Sequence, residues 1–152
     1  MYRLSRDDPL TRRLVFLGKE VRGHFQDVLA DHACTIPTWA VLSRAHHQPG
    51  MSQVQLAGQI GIEGPTLARH LDKLGADGLV ERRRDELDRR IVRIALTEAG
   101  ERRWAELKDV ADDMERTLTR RLTDDQRAVL DTALDLIHLS LEDAHAPVDA
   151  SH

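Results

Sequence analysis

Residues 61–97 constrain the fold more than any other stretch, because a helical repeat gives way to a strand repeat within a few positions. In residues 65–76, Leu67, Leu71 and Leu74 recur at i, i+4 and i+7, one apolar stripe at helical period. Gly64 is placed to cap this helix. Pro65 falls at its first position, where a missing N–H costs nothing. Gly78 follows the last periodic residue and is a stop signal. Residues 79–84 and 91–97 are then β-rich. Val92, Ile94 and Leu96 alternate with Arg93 and Ala95, the pattern of a half-buried strand. Between the two runs lies Arg84-Asp85-Glu86-Leu87-Asp88-Arg89-Arg90, a charged tip with no core to join and one apolar residue, Leu87.

The segments on either side extend the pattern. Residues 38–46 read as a helix with Trp39, Leu42 and Ala45 inward, ended by Gln48-Pro49-Gly50. Ser52-Gln53-Val54-Gln55 is a capping box that starts another helix, with Val54, Leu56, Ala57 and Ile60 packing. Gly61-Ile62-Glu63-Gly64 turns into the leucine-striped helix. Helix, short glycine-containing turn and helix is the spacing of a helix-turn-helix, and the hairpin adds a wing. Upstream, Asp8 caps and Pro9 opens a long helix that keeps its stripe from Leu10 to Leu29, before a break at Cys34-Thr35-Ile36-Pro37. Downstream, Thr97 caps a helix carrying Trp104, Leu107, Ala111, Met114 and Leu118. Thr123-Asp124-Asp125-Gln126 is a second capping box, leading into Leu130, Leu134, Ile137 and Leu141. The expected fold is mainly α with a small β-hairpin. A winged helix-turn-helix over 36–97 is flanked by helices at 9–33 and 98–144, and residues 145–152 are expected to be a disordered tail. The apolar stripes of the flanking helices exceed what one small domain hides, so a homodimer is expected.

The function follows from the other face of the leucine-striped helix. Pro65, Thr66, Arg69 and Lys73 point away from the leucines at about 100° per residue. Small residues at the N-terminus allow close approach to a major groove, and an arginine one turn later can bond guanine O6 and N7 together. A solvated charged face would look similar. The arginine tip favours DNA, since a wing can carry an arginine into a minor groove. The net charge of −4 does not oppose this, because residues 98–152 hold 14 Asp/Glu against 7 Lys/Arg while the first 97 residues carry a slight basic excess. Binding should depend on a few placed arginines more than on a broad basic surface. No run reaches the ~18 apolar residues of a membrane span, and Met1 to Arg6 lack the apolar core of a signal peptide, so the expected location is the cytoplasm. One cysteine, Cys34, excludes an internal disulfide framework. No glycine-rich phosphate loop, catalytic triad order or carboxylate pair suggests an enzyme.

Three short stretches also resemble a family. Gly78-Leu79-Val80-Glu81-Arg82-Arg83, then Asp88-Arg89-Arg90, then Leu96-Thr97-Glu98-Ala99-Gly100 resemble the signature of the MarR regulators, and residues 61–69 are similar to the SlyA branch. The resemblance runs from about Pro9 to Ala144. It implies a transcription regulator whose two chain ends intertwine to form a homodimer on a pseudo-palindromic operator, with recognition helices ~34 Å apart. The expected DNA contacts are Ser52, Gln53, Gly64, Pro65, Thr66, Arg69, His70, Lys73, Asp88, Arg89 and Arg90. Pro65, Thr66 and Arg69 meet bases, Lys73 and Arg89 favour phosphate, and Arg90 takes the minor groove. The family pattern pairs Asp88 with Arg90 as an ion pair. Ser52 and Gln53, at a helix start, are candidates for phosphate. Family members often bind small aromatic carboxylates between dimer helices and winged domain, where Trp39 falls by chain order; Trp39 is otherwise an ordinary core residue. No cofactor and no metal are expected. The histidines lack metal-ligand spacing, and Cys34 lies at the far end of the first helix from the reactive position of the redox branch, which falls at Leu10 and Thr11 here. A metal- or redox-responsive regulator of the same fold, and a helical module whose wing binds protein, remain as alternatives.

Overall fold

The computed structural model describes residues 5–85 and 87–145. Six helices and one hairpin follow in order: α1 (Leu10–Asp31), α2 (Ile36–His47), α3 (Gln53–Ile60), α4 (Gly64–Ala76), β1 (Val80–Arg84), β2 (Val92–Leu96), α5 (Glu98–Thr119) and α6 (Asp124–His145). The chain divides into two compact units, one ending at Met114 and one beginning at Glu115.

The core of the first unit is aliphatic. Leu29, Val41, Leu42, Leu56, Leu67, Leu71, Ile94 and Leu107 are fully buried, each worth ~1.5–3 kcal/mol of burial. All three leucines of the α4 stripe are inside. The helix ends as read. Gly78 adopts φ +70°, and the paired bonds Leu79 N–H to Leu74 O (2.9 Å) and Gly78 N–H to Gly75 O (3.0 Å) form a Schellman stop. Its start shifts by one residue. Glu63, not Gly64, is the N-cap, and Glu63 makes no side-chain capping bond. Similarly, Pro9 itself is the N-cap of α1, and Asp8 instead pairs with Arg12 at 3.8 Å. The break before α2 is shorter than expected. Thr35 caps the helix by accepting from Thr38 N–H, and Pro37 is absorbed into its first turn. Both capping boxes form, at Ser52/Gln55 and at Thr123/Gln126.

β1 and β2 pair antiparallel, with Val80 opposite Leu96 and Arg84 opposite Val92. The segment before α3 adds to this sheet. Ile94 N–H donates to Met51 O (2.9 Å), Gly50 N–H donates to Ile94 O (3.2 Å), and Ser52 bridges to Arg93. The base of the wing is therefore stitched to the start of α3.

The turn out of α4 and the start of α5 meet in one joint. Thr97 Oγ1 donates to Gly78 O (2.6 Å) and accepts from Gly100 N–H (3.0 Å), while Thr97 N–H donates to Leu79 O (3.1 Å). Gly100 is buried against Leu79, where a Cβ would come within 2.0 Å of the carbonyl oxygen.

One expectation of burial fails. Val54 does not pack inward with Leu56 and Ala57: it is 83% exposed. α6 has its expected apolar stripe but no buried residue, and Leu130, Leu134 and Leu141 are all exposed. Leu118 on α5 is exposed as well, as are Leu10 and Leu17 on α1. The anticipated tail at 145–152 begins one residue inside α6, which ends at His145; residues 146–152 lie outside the described residues.

Candidate nucleic-acid interface

The basic side chains of residues 61–97 separate into two groups. Arg82, Arg83 and Arg93 are held by the protein itself. Arg82 reaches from β1 back to α4, donating to Asp72 Oδ1 (2.6 Å) and Ala68 O (3.1 Å). Arg83 pairs with Glu81. Arg93 pairs through Nε with Asp85 and donates through Nη1 to Gly50 O (2.8 Å). Arg69, Lys73, Arg84, Arg89 and Arg90 are exposed, and no ion pair or hydrogen bond of their side chains is recorded among the described residues. Two of these five lie on α4 and three on the wing. Arg69 and Lys73 project from the face opposite the buried leucines, with Pro65 exposed and Thr66 and His70 half-buried beside them. Sequence reasoning missed the sorting and passed over Arg84. The partners that decide it stand up to 43 residues away along the chain.

The wing tip is ordered by Asp85 rather than left as a charged loop. One carboxylate oxygen accepts from Leu87 N–H and Asp88 N–H, both at 2.9 Å, and the other faces Arg93. The Asp88 and Leu87 amides and the Arg93 guanidinium hold the Asp85 carboxyl below its ordinary value, with the Asp88 amide contributing most. Asp88 acts likewise on the backbone: its Oδ1 accepts from Arg90 N–H at 2.9 Å. The expected Asp88–Arg90 ion pair is thus replaced by an Asx turn, which leaves the Arg90 guanidinium outward. Ser52 and Gln53 stand at the start of α3, and an open cleft of about 580 Å³ separates them and Gly64 from Arg90.

Trp39 sits elsewhere in the first unit. It meets Phe25 edge-on at 5.0 Å and lies 6.5 Å from Trp104, so α1, α2 and α5 contribute one ring each. Its indole Nε1 is buried with no hydrogen-bond partner among the described residues. His46 and His47 both lie 5.6 Å from the Trp104 ring, and His46 Nδ1 is 2.6 Å from Glu101. Cys34 is buried and its thiol is pushed up by desolvation, partly offset by the charge of Arg103; a thiol in that state is a poor nucleophile. Among the described residues, no three His, Cys, Asp or Glu side chains are grouped as a metal site, and no helix is long and apolar enough to cross a membrane.

Residues 34–92, from just before α2 to the first residue of β2, match the MarR family model. A solved MarR structure superposes with a TM-score of 0.77 at 26% identity, covering 94% of this chain and 97% of that one. The chain has the MarR winged-helix fold. A mutant of E. coli MarR complexed with operator DNA matches at 25% identity and a TM-score of 0.75, covering 85% of this chain and 93% of that one. At 23% identity, the S. aureus MepR–DNA complex adds support for the fold, with a TM-score of 0.77 over 90% of this chain and 99% of that one. The MarR-like stretches noted in the sequence now have physical causes. Gly78 supplies a left-handed helix stop, Gly100 a close approach, and Asp88 a backbone turn. These matches group the chain with transcriptional regulators and not with enzymes.

Proposed function

We propose that this chain is a MarR-family transcription regulator of the SlyA-like type, which binds a pseudo-palindromic operator as a homodimer. The observation that carries the reading is the set of five exposed cations without partners among the described residues, two on α4 and three on the wing. α4 enters the major groove, with Pro65, Thr66 and Arg69 at base edges, His70 beside them and Lys73 on phosphate. The wing follows the flank, with Arg90 in the minor groove and Arg84 and Arg89 on phosphate. Asp88 orients Arg90 through the backbone bond. The E. coli MarR complex with operator DNA supports the DNA reading. The exposed leucines of α1 and α6 support the homodimer, because they need a partner surface.

A small aromatic carboxylate is the proposed effector. The unpartnered Trp39 N–H is a donor that such an anion can take, and an unsatisfied buried donor is costly to leave so.

The test separates the two arginine roles. Arg69→Ala should cost ~1–3 kcal/mol on a selected duplex and relax specificity at one position. Arg90→Ala should weaken binding most on A·T-rich flanks and lower the salt slope by ~1. Equal, sequence-blind losses in both variants would leave only a generic cationic surface.

A further inference from the structure

Val54 is the one large apolar side chain of α3 that faces outward. It lies in the cleft bounded by the first turn of α3, the start of α4 and the wing at Arg90 to Val92. The surroundings of that cleft are specific. Gln55 N–H is taken by Ser52 Oγ and Leu56 N–H by Ser52 O, which leaves the Gln53 and Val54 amides outside the helix ladder. The Ser52 hydroxyl, having accepted from Gln55, keeps its own proton to donate. Arg90 stands on the opposite wall. An apolar floor is thus flanked by amide donors on one side and a cation on the other.

We propose that Val54 packs on a deoxyribose of the DNA strand that crosses between α4 and the wing. A sugar–phosphate chain alternates anionic and apolar groups, and this cleft alternates donors, an apolar patch and a cation in the same way. One phosphate meets the α3 amides and Ser52, the adjoining sugar covers Val54, and Arg90 closes the far wall on its way into the minor groove. Val54 belongs to α3 and not to the reading helix, so it meets backbone and carries no base information. The inference rests on the DNA-binding reading above and adds a contact that is apolar and independent of sequence.

The full chain is tested on a duplex selected by the wild-type protein from a random pool and on a shuffled duplex of the same composition. Val54→Ala should lower affinity roughly three- to tenfold, equally for both duplexes. Its slope against log salt should not change, because no phosphate contact is lost. Val54→Asp should lower affinity roughly a hundredfold or more by setting a carboxylate against phosphate. An acid in the first turn of a helix favours that helix, so the Val54→Asp thermal midpoint should hold or rise and loss of folding is separated from loss of contact. Unchanged affinity in both variants overturns the inference. So does a Val54→Ala loss confined to the selected duplex, which would make Val54 a base reader, or an altered salt slope. A wild-type protein that binds neither duplex overturns the DNA-binding reading itself, and this contact with it.

Discussion

Gly100 leaves no room for a side chain. An added Cβ would stand 2.0 Å from Leu79 O and 3.3 Å from Leu96 Cβ, and the obstacle is backbone in the middle of the Gly78–Thr97 joint. Gly100→Ala should therefore destabilise by ~1–3 kcal/mol or more, read as a lower denaturation midpoint; an unaffected midpoint would mean that the joint yields freely. Asp85 makes a second prediction. Its folded-state carboxyl titrates below the ordinary value, so the unfolded chain binds its proton first on acidification. The stabilisation is complete above the ordinary carboxylate pKa of about 3.9 and is lost as pH falls through the depressed one. The amide signals of Leu87 and Asp88 should shift with a midpoint below that ordinary value, and the shift should vanish in Asp85→Asn. A midpoint at or above it would contradict the assigned bonds. Neither constraint was legible beforehand. Gly100 reads as a helix-weakening residue until Leu79 is brought against it, and Asp85 reads as one charge among seven tip residues until its partners are placed.

Among the elements, α4 was the most legible because its determinants are local. The leucine stripe and the Gly78 stop act within a single helix. Its start was misread by one residue because neither Glu63 nor Gly64 supplies a capping side chain to mark it. Val54 was misread because period alone cannot say which side of a two-turn helix faces the core. The third pairing segment, residues 50–52, carries too few residues to show a strand pattern, and only β2 reveals it. α6 was read correctly as amphipathic, yet its stripe remains uncovered in the single chain. Deleting residues 124–152 should consequently convert a dimer to monomer at micromolar concentration while the helical signal of the remaining elements persists. Sedimentation that finds the full-length protein already monomeric would remove the proposed homodimer.

For the whole molecule, the effector proposal turns on the aromatic group at Phe25, Trp39 and Trp104, which draws α1, α2 and α5 together. A ligand shifts the regulator only by its differential affinity for DNA-competent and incompetent states. Salicylate at millimolar concentration should quench tryptophan fluorescence and weaken duplex binding together, and Trp39→Phe should blunt both. Quenching without any change in duplex affinity would separate the cluster from regulation. The bonds from residues 50–52 to β2 bear on a different question, how far such an operator can vary. If α4 and the wing grip two grooves of the same duplex, this stitching, together with Arg82 tied from β1 to Asp72 and Ala68 of α4, makes the offset between the two contacts a fixed length, as in a caliper whose jaws are locked. One extra base pair between the core half-site and its flank would advance the second groove by ~3.4 Å along the axis and rotate it by about a tenth of a turn. A locked caliper cannot follow that step, so natural sites should exchange A·T and T·A pairs at the flank but hardly vary in its distance from the core.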